Sequence, residues 1–95
     1  MLSAFVQVSD VLQALASDDE AIAVQTRAQT QADDALRLAR LGFEKGGDTM
    51  LSVLDAQRRS NEAASDLARA RGRRLADSVR LFAAAGADWR TAPRG

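Results

Sequence analysis

The chain is expected to be all α: a long antiparallel helical hairpin of coiled-coil type, with no strands. Three observations lead there. Residues from about 3 to 41 hold neither Gly nor Pro, and from Met50 to Ala85 the only breaker is Gly72. Between these stretches, Gly42, Gly46 and Gly47 fall close together. Apolar residues recur every seven positions in both halves, and no stretch alternates with period two.

The first helix is expected over about residues 3–44. Ala, Leu, Gln, Arg and Asp dominate it, and most of these favour or tolerate helix. Its main row is Val8, Leu15, Ile22, Gln29, Leu36 and Phe43, with Phe5 and Leu12 beginning a companion row that fails at Asp19. A seven-residue row with a second row three or four positions away is a coiled-coil seam. One local signal competes. Ser17-Asp18-Asp19-Glu20 reads as a capping box, which would break or kink the helix there.

The turn is expected at about residues 45–49, within "GFEKGGDTMLSVLDAQRR", which spans Gly42 to Arg59. Gly46 or Gly47 can supply the left-handed residue that ends the first helix. Asp48 or Thr49 can cap the second. Phe43 covers the turn from the other side. This hairpin chemistry leaves Ser52, Asp55 and Gln57 unexplained.

The second helix is expected over about 50–85, followed by an irregular tail at 86–95. Its row is Leu54, Asn61, Ala68, Leu75, Phe82 and Trp89. Pairing Phe43 with Leu54 sets Ile22 opposite Leu75, Leu15 opposite Phe82 and Val8 opposite Trp89. The middle is thin, because Ala28, Ala32, Ala35 and Ala39 meet Ala63, Ala64, Ala68 and Ala70. At about 25 cal/mol per Å² such a seam stabilises weakly. Residues 1–95 therefore read as one helical hairpin that needs further helices as neighbours.

Composition narrows the function. The chain has 95 residues with no Cys and no His, so thiolate sites, disulfides and the commonest general base are absent. Without these, or a Gly-rich phosphate loop, no nucleophile–base pair can be assembled, and an enzyme is not expected. No metal site or cofactor is expected. Residues 1–5 carry no basic region and no long apolar run, and Asp10 interrupts soon after, so no signal peptide is read. No apolar run approaches the roughly 20 residues of a membrane span. Formal net charge is zero, yet residues 1–36 carry six acids against Arg27 alone. The two halves thus have opposite sign. Arg69, Arg71, Arg73 and Arg74 could neutralise phosphates, but an acidic helix lies alongside and no aromatic residue interleaves them. No nucleic-acid partner is expected.

Phe43-x-x-Gly46, followed by Val53-Leu54-Asp55-Ala56-Gln57, resembles the periplasmic hairpin tip of TolC-like outer-membrane efflux proteins. Their usual pattern is an aromatic residue, a Gly three positions on, then a Leu-Asp-Ala-Gln-like run. The stretch from Ala4-Phe5 to Leu15 looks like the family's approach to this helix. Leu81-Phe82-Ala83-Ala84-Ala85-Gly86-Ala87-Asp88-Trp89 is similar to its closing segment. The pattern is nearest to the lipoprotein members of resistance-nodulation-division multidrug pumps.

The resemblance implies a trimeric channel of two repeats, with barrel strands and an α-helical tunnel through the periplasm. This sequence looks like the last helical pair of the second repeat. It implies a periplasmic adaptor (membrane fusion) protein as partner, contacted by Phe43, Gly46, Gly47, Asp48 and Thr49. It places Ser52 and Asp55 at the tunnel entrance. Ser52 stands where some members have a second acid, and Asp48 where some have a basic gating residue. Asp55 equally suits a plain acid near a helix N-terminus. A rival expectation is a free-standing hairpin that self-associates into a bundle, with Val11, Val24, Leu38, Leu41, Leu67 and Val79 as a second interface.

Overall fold

The structure, a computed structural model, describes residues 2–91, with side-chain surroundings for residue 3 and residues 5–86. It is a helical hairpin of α1 (Leu2–Glu44) and α2 (Met50–Thr91), with no strand among the described residues. The two helices lie side by side as a rod of 77 × 15 × 14 Å.

Helix α1 passes through Ser17-Asp18-Asp19-Glu20 without a break. The capping box is overridden because the flanking residues all propagate helix and Asp18 is drawn into the seam. Helix α2 continues to Thr91, so the irregular tail expected at 86–95 is corrected over its first six residues. A lone Gly costs a helix about 1 kcal/mol relative to Ala, and the alanines around Gly86 carry the helix through it. Residues 92–95 lie outside those described.

The seam follows two seven-residue rows on each helix. On α1 they are Val8, Leu15, Ile22, Gln29 and Leu36, with Val11, Asp18, Gln25, Ala32 and Ala39; all are buried or half-buried. The first row is the expected one. The companion lies three residues after it rather than three before, and Phe5 and Leu12 are exposed. On α2 the rows are Val53, Ser60, Leu67, Arg74 and Leu81, with Ala56, Ala63, Ala70, Asp77 and Ala84.

The expected α2 row is therefore corrected. Leu54, Leu75 and Phe82 are 58%, 67% and 80% exposed, so they do not face Phe43, Ile22 and Leu15 across the seam. The expected contact of Val8 with Trp89 lies outside the described side chains. The axial level is nonetheless close to that expected: Arg40 Nη2 donates to Gln57 Oε1 at 2.8 Å, and Ser60 Oγ to Asp33 Oδ1 at 2.5 Å. Helix α2 is rotated by one residue, about 100°. The buried alanine row explains the choice. Small residues let the backbones approach closely, whereas a row carrying Leu54, Leu75 and Phe82 would hold them apart.

The core is as thin as the sequence suggests. It consists of Val11, Leu15, Leu36, Ala39, Ala63, Leu67 and Ala70, with Ser60 the buried polar member. The opposite charges of the halves contribute little across the seam. One ion pair crosses it among the described residues, Arg74 Nε to Asp19 Oδ1 at 2.8 Å. The others lie within a helix, and all but Arg80–Asp77 are exposed on both sides, where each contributes about 1 kcal/mol or less.

Candidate functional site at the hairpin tip

The turn resolves both alternatives left open by the sequence. Gly46 has φ of 82°, the left-handed conformation, and Gly47 does not. The Gly47 amide donates to the Gly42 carbonyl at 2.8 Å, and the Gly46 amide to the Phe43 carbonyl at 3.1 Å. These two bonds form a Schellman motif, which satisfies the last carbonyls of α1. The Asp48 amide also donates to the Gly42 carbonyl, at 3.1 Å.

Thr49 is the cap of α2. Its Oγ1 accepts from the Ser52 amide at 3.1 Å, and its carbonyl accepts from the Val53 amide at 3.2 Å. Thr49→Ala is expected to destabilise the start of α2 by about 1 kcal/mol. Faster amide exchange at Ser52, with exchange in the middle of α2 unchanged, would register the loss. The Asp48 side chain instead lies against Gly42, where an added Cβ would come within 3.3 Å of the Asp48 Cβ. At Gly47 an added Cβ would meet only the Gly42 carbonyl oxygen, at an ordinary 3.7 Å.

The anticipated site residues fall into two groups. Phe43, Gly46, Gly47 and Thr49 surround the apex. Asp48, Ser52 and Asp55 share a groove beside it, lined also by Ala35, Ala39 and Arg59. Two further apolar residues stand at the tip. Met50 and Leu51 are 52% and 77% exposed, and with Phe43 they add apolar surface to an end that also carries exposed Glu44, Lys45 and Asp48. Their position in the first turn after the cap, before the seam row starts at Val53, is the signal that marks them.

The electrostatics around Asp55 also differ from those of a lone acid. Its carboxylate meets Arg58 Nη2 at 3.1 Å and Arg59 Nε at 3.2 Å. Arg58 also pairs with Glu62, and the hydrogen bond to Asp55 together with the Glu62 charge holds its guanidinium still more firmly protonated. Gln57, the end of the Leu-Asp-Ala-Gln run, accepts from Arg40 of α1 and donates to Asn61 Oδ1 at 3.2 Å. It ties the helices together just behind the tip. Among the described residues no group of three or more His, Cys, Asp or Glu could hold a metal ion, and no helix is long and apolar enough to cross a membrane.

The chain is 34% identical over 89 residues to the pyoverdine export outer membrane protein OpmQ of Pseudomonas putida. That alignment covers 94% of this chain and 19% of the relative, so the chain spans about a fifth of the relative's length. No solved structure matches it. The sequence profile of the outer membrane efflux proteins matches residues 1–87. With nearly its whole length matched, including the tip and both arms, the chain belongs to the outer membrane efflux protein family, a family of transport channels.

Proposed function

We propose that the chain forms the C-terminal periplasmic helical hairpin of an outer-membrane efflux channel, whose tip docks on a periplasmic adaptor protein. The observation that carries this reading is the tip itself. It is a turn in which the Gly46, Gly47 and Asp48 amides are hydrogen-bonded internally, bearing exposed Phe43, Met50 and Leu51 at the end of a long rod. Such an end offers apolar contact on a turn held by its own hydrogen bonds. In the trimeric channel of the family, three hairpins would export small molecules through a shared tunnel. Phe43, Gly46, Gly47, Asp48 and Thr49 would meet the adaptor, and Ser52 and Asp55 would face the tunnel entrance.

Arg58 and Arg59 modify what Asp55 does there. A ring of Asp55 carboxylates alone would favour cations, but here each carboxylate is balanced by two guanidiniums. Asp55→Asn in the assembled channel should therefore move selectivity toward anions, with docking unchanged. Gly47→Leu probes docking separately, because the turn has room for a side chain at that position. It should reduce crosslinking from the tip to the adaptor and lower efflux, while the trimer persists. Wild-type crosslinking and efflux in Gly47→Leu would refute the docking role. Unchanged ion selectivity in Asp55→Asn would leave that acid a helix-end charge only.

A second reading, a self-associating hairpin with no transport role, is favoured by the exposed flank residues Leu54, Leu75 and Phe82; of the second interface expected for it, Val24, Leu38, Leu41 and Val79 are exposed, whereas Val11 and Leu67 are buried in the seam. It differs in outcome. The isolated chain would form a helical bundle of fixed mass, and tip substitutions would have no partner to lose.

A further inference from the structure

A polar layer interrupts the seam far from the tip. Asp18 of α1 and Asp77 of α2 occupy the inner rows that elsewhere hold Val11, Ala32, Ala63 and Ala70. The charged groups around them are few. On α1 there is Asp19; on α2 there are Arg73, Arg74 and Arg80. Arg74 is engaged by Asp19 and by the Ser78 hydroxyl. Arg80 Nη1 pairs with Asp77 Oδ1 at 2.8 Å, and the Asp77 side chain is 16% exposed. Asp18 Oδ2 is buried, and no donor among the described residues reaches it.

A carboxylate oxygen in that position lacks any partner, which is costly away from water. A proton on Asp18 removes the problem, since a carboxylic acid can donate to the facing carboxylate. We propose that Asp18 and Asp77 share one proton across the seam, and that this proton pins the far half of the two helices in register. Polar groups at single inner positions of coiled coils are known to set register in this way. The inference concerns the hairpin itself and holds whether or not the tip docks on an adaptor.

The electrostatic surroundings of the two acids agree. Asp18 is raised above the ordinary aspartate value of 3.8, first by the hydrogen bond its protonated carboxyl would donate to Asp77, then by desolvation and by the Asp77 charge. Arg73 and Arg74 oppose the rise without cancelling it. Asp77 is lowered, first by the same hydrogen bond and then by Arg80 and Arg74, against desolvation. The two behave as one dyad with two steps. Because folding raises Asp18, the folded state binds its proton more tightly than the unfolded chain does. That stabilisation is lost as pH rises through the upper step. Because folding lowers Asp77, its contribution is lost as pH falls through the lower step. Stability from the pair is therefore greatest between the steps, with one proton present.

The test is a carboxyl-carbon NMR titration of the 95-residue chain with labelled aspartates, alongside thermal melting followed by helicity. Asp18→Asn and Asp77→Asn assign the two signals. The expected result is one step above 3.8 and one below, with wild-type melting falling as pH rises through the upper step. Asp18→Asn keeps a neutral donor facing Asp77, so it should abolish the upper step and that fall. If the variant does not fold, the wild-type titration alone decides. Two carboxyls titrating together at the ordinary value would overturn the proposal. So would the same loss of stability with pH in Asp18→Asn.

Discussion

Ala70→Leu is expected to weaken the hairpin by about 1–3 kcal/mol, through overpacking. Ala70 is wholly buried in a seam whose close helix approach depends on small residues. Added methylenes there must push α2 away from α1, which opens contacts above and below. The complementary change, Leu67→Ala, should cost about 2–5 kcal/mol, because Leu67 is one of the few large side chains in the core. Leu75→Ala provides the contrast. Leu75 is exposed, so in a single hairpin its truncation should stay within about 0.5 kcal/mol. Denaturant midpoints followed by helicity would rank the three. A greater loss for Leu75→Ala than for Leu67→Ala would mean that α2 presents the other row to α1. In an assembly of hairpins, Leu75→Ala should instead weaken association.

Gly46→Val should strain the turn far more than the same change at Gly47. Gly46 holds φ of 82°, and a left-handed residue with a Cβ costs about 1–2 kcal/mol, with branching at Cβ adding crowding. The space around Gly46 is open, so the penalty is conformational rather than a clash. Gly46→Asn should recover part of the loss, since Asn tolerates this region. Amide exchange at Gly47 and Asp48 reports the result directly, because both donate to the Gly42 carbonyl. Protection there that is lost in Gly46→Val and kept in Gly47→Val would confirm the division. Equal effects at the two glycines would refute it.

Much of the tip was legible in the sequence because its chemistry is local. A Schellman turn needs one left-handed residue, and the adjacent glycines Gly46 and Gly47 offered it. A cap needs a short side-chain oxygen, and Asp48 and Thr49 offered that. Which member of each pair served depended on how the chain closed: Asp48 folded back over Gly42, leaving Thr49 to cap α2. The pairing of Asp55 with Arg58 and Arg59 also follows helix spacing of three and four, and could have been read from the sequence.

By itself the sequence determined two long helices, the position of the turn, the inner row from Val8 to Leu36 and the thinness of the core. All of these follow from helix propensity, breaker placement and residue size. It did not determine the face that α2 turns inward. The row through Leu54 has one polar member, Asn61, whereas the row through Val53 carries Ser60 and Arg74, so apolar periodicity alone points to the face that α2 does not turn inward. Phase is a property of the pair of helices, decided where the alanines of α2 allow close approach to α1. The same choice carried Asp77 and Arg74 into the seam and set Asp18 facing another carboxylate. That meeting joins residues distant in the chain, and only the tertiary structure could bring them together.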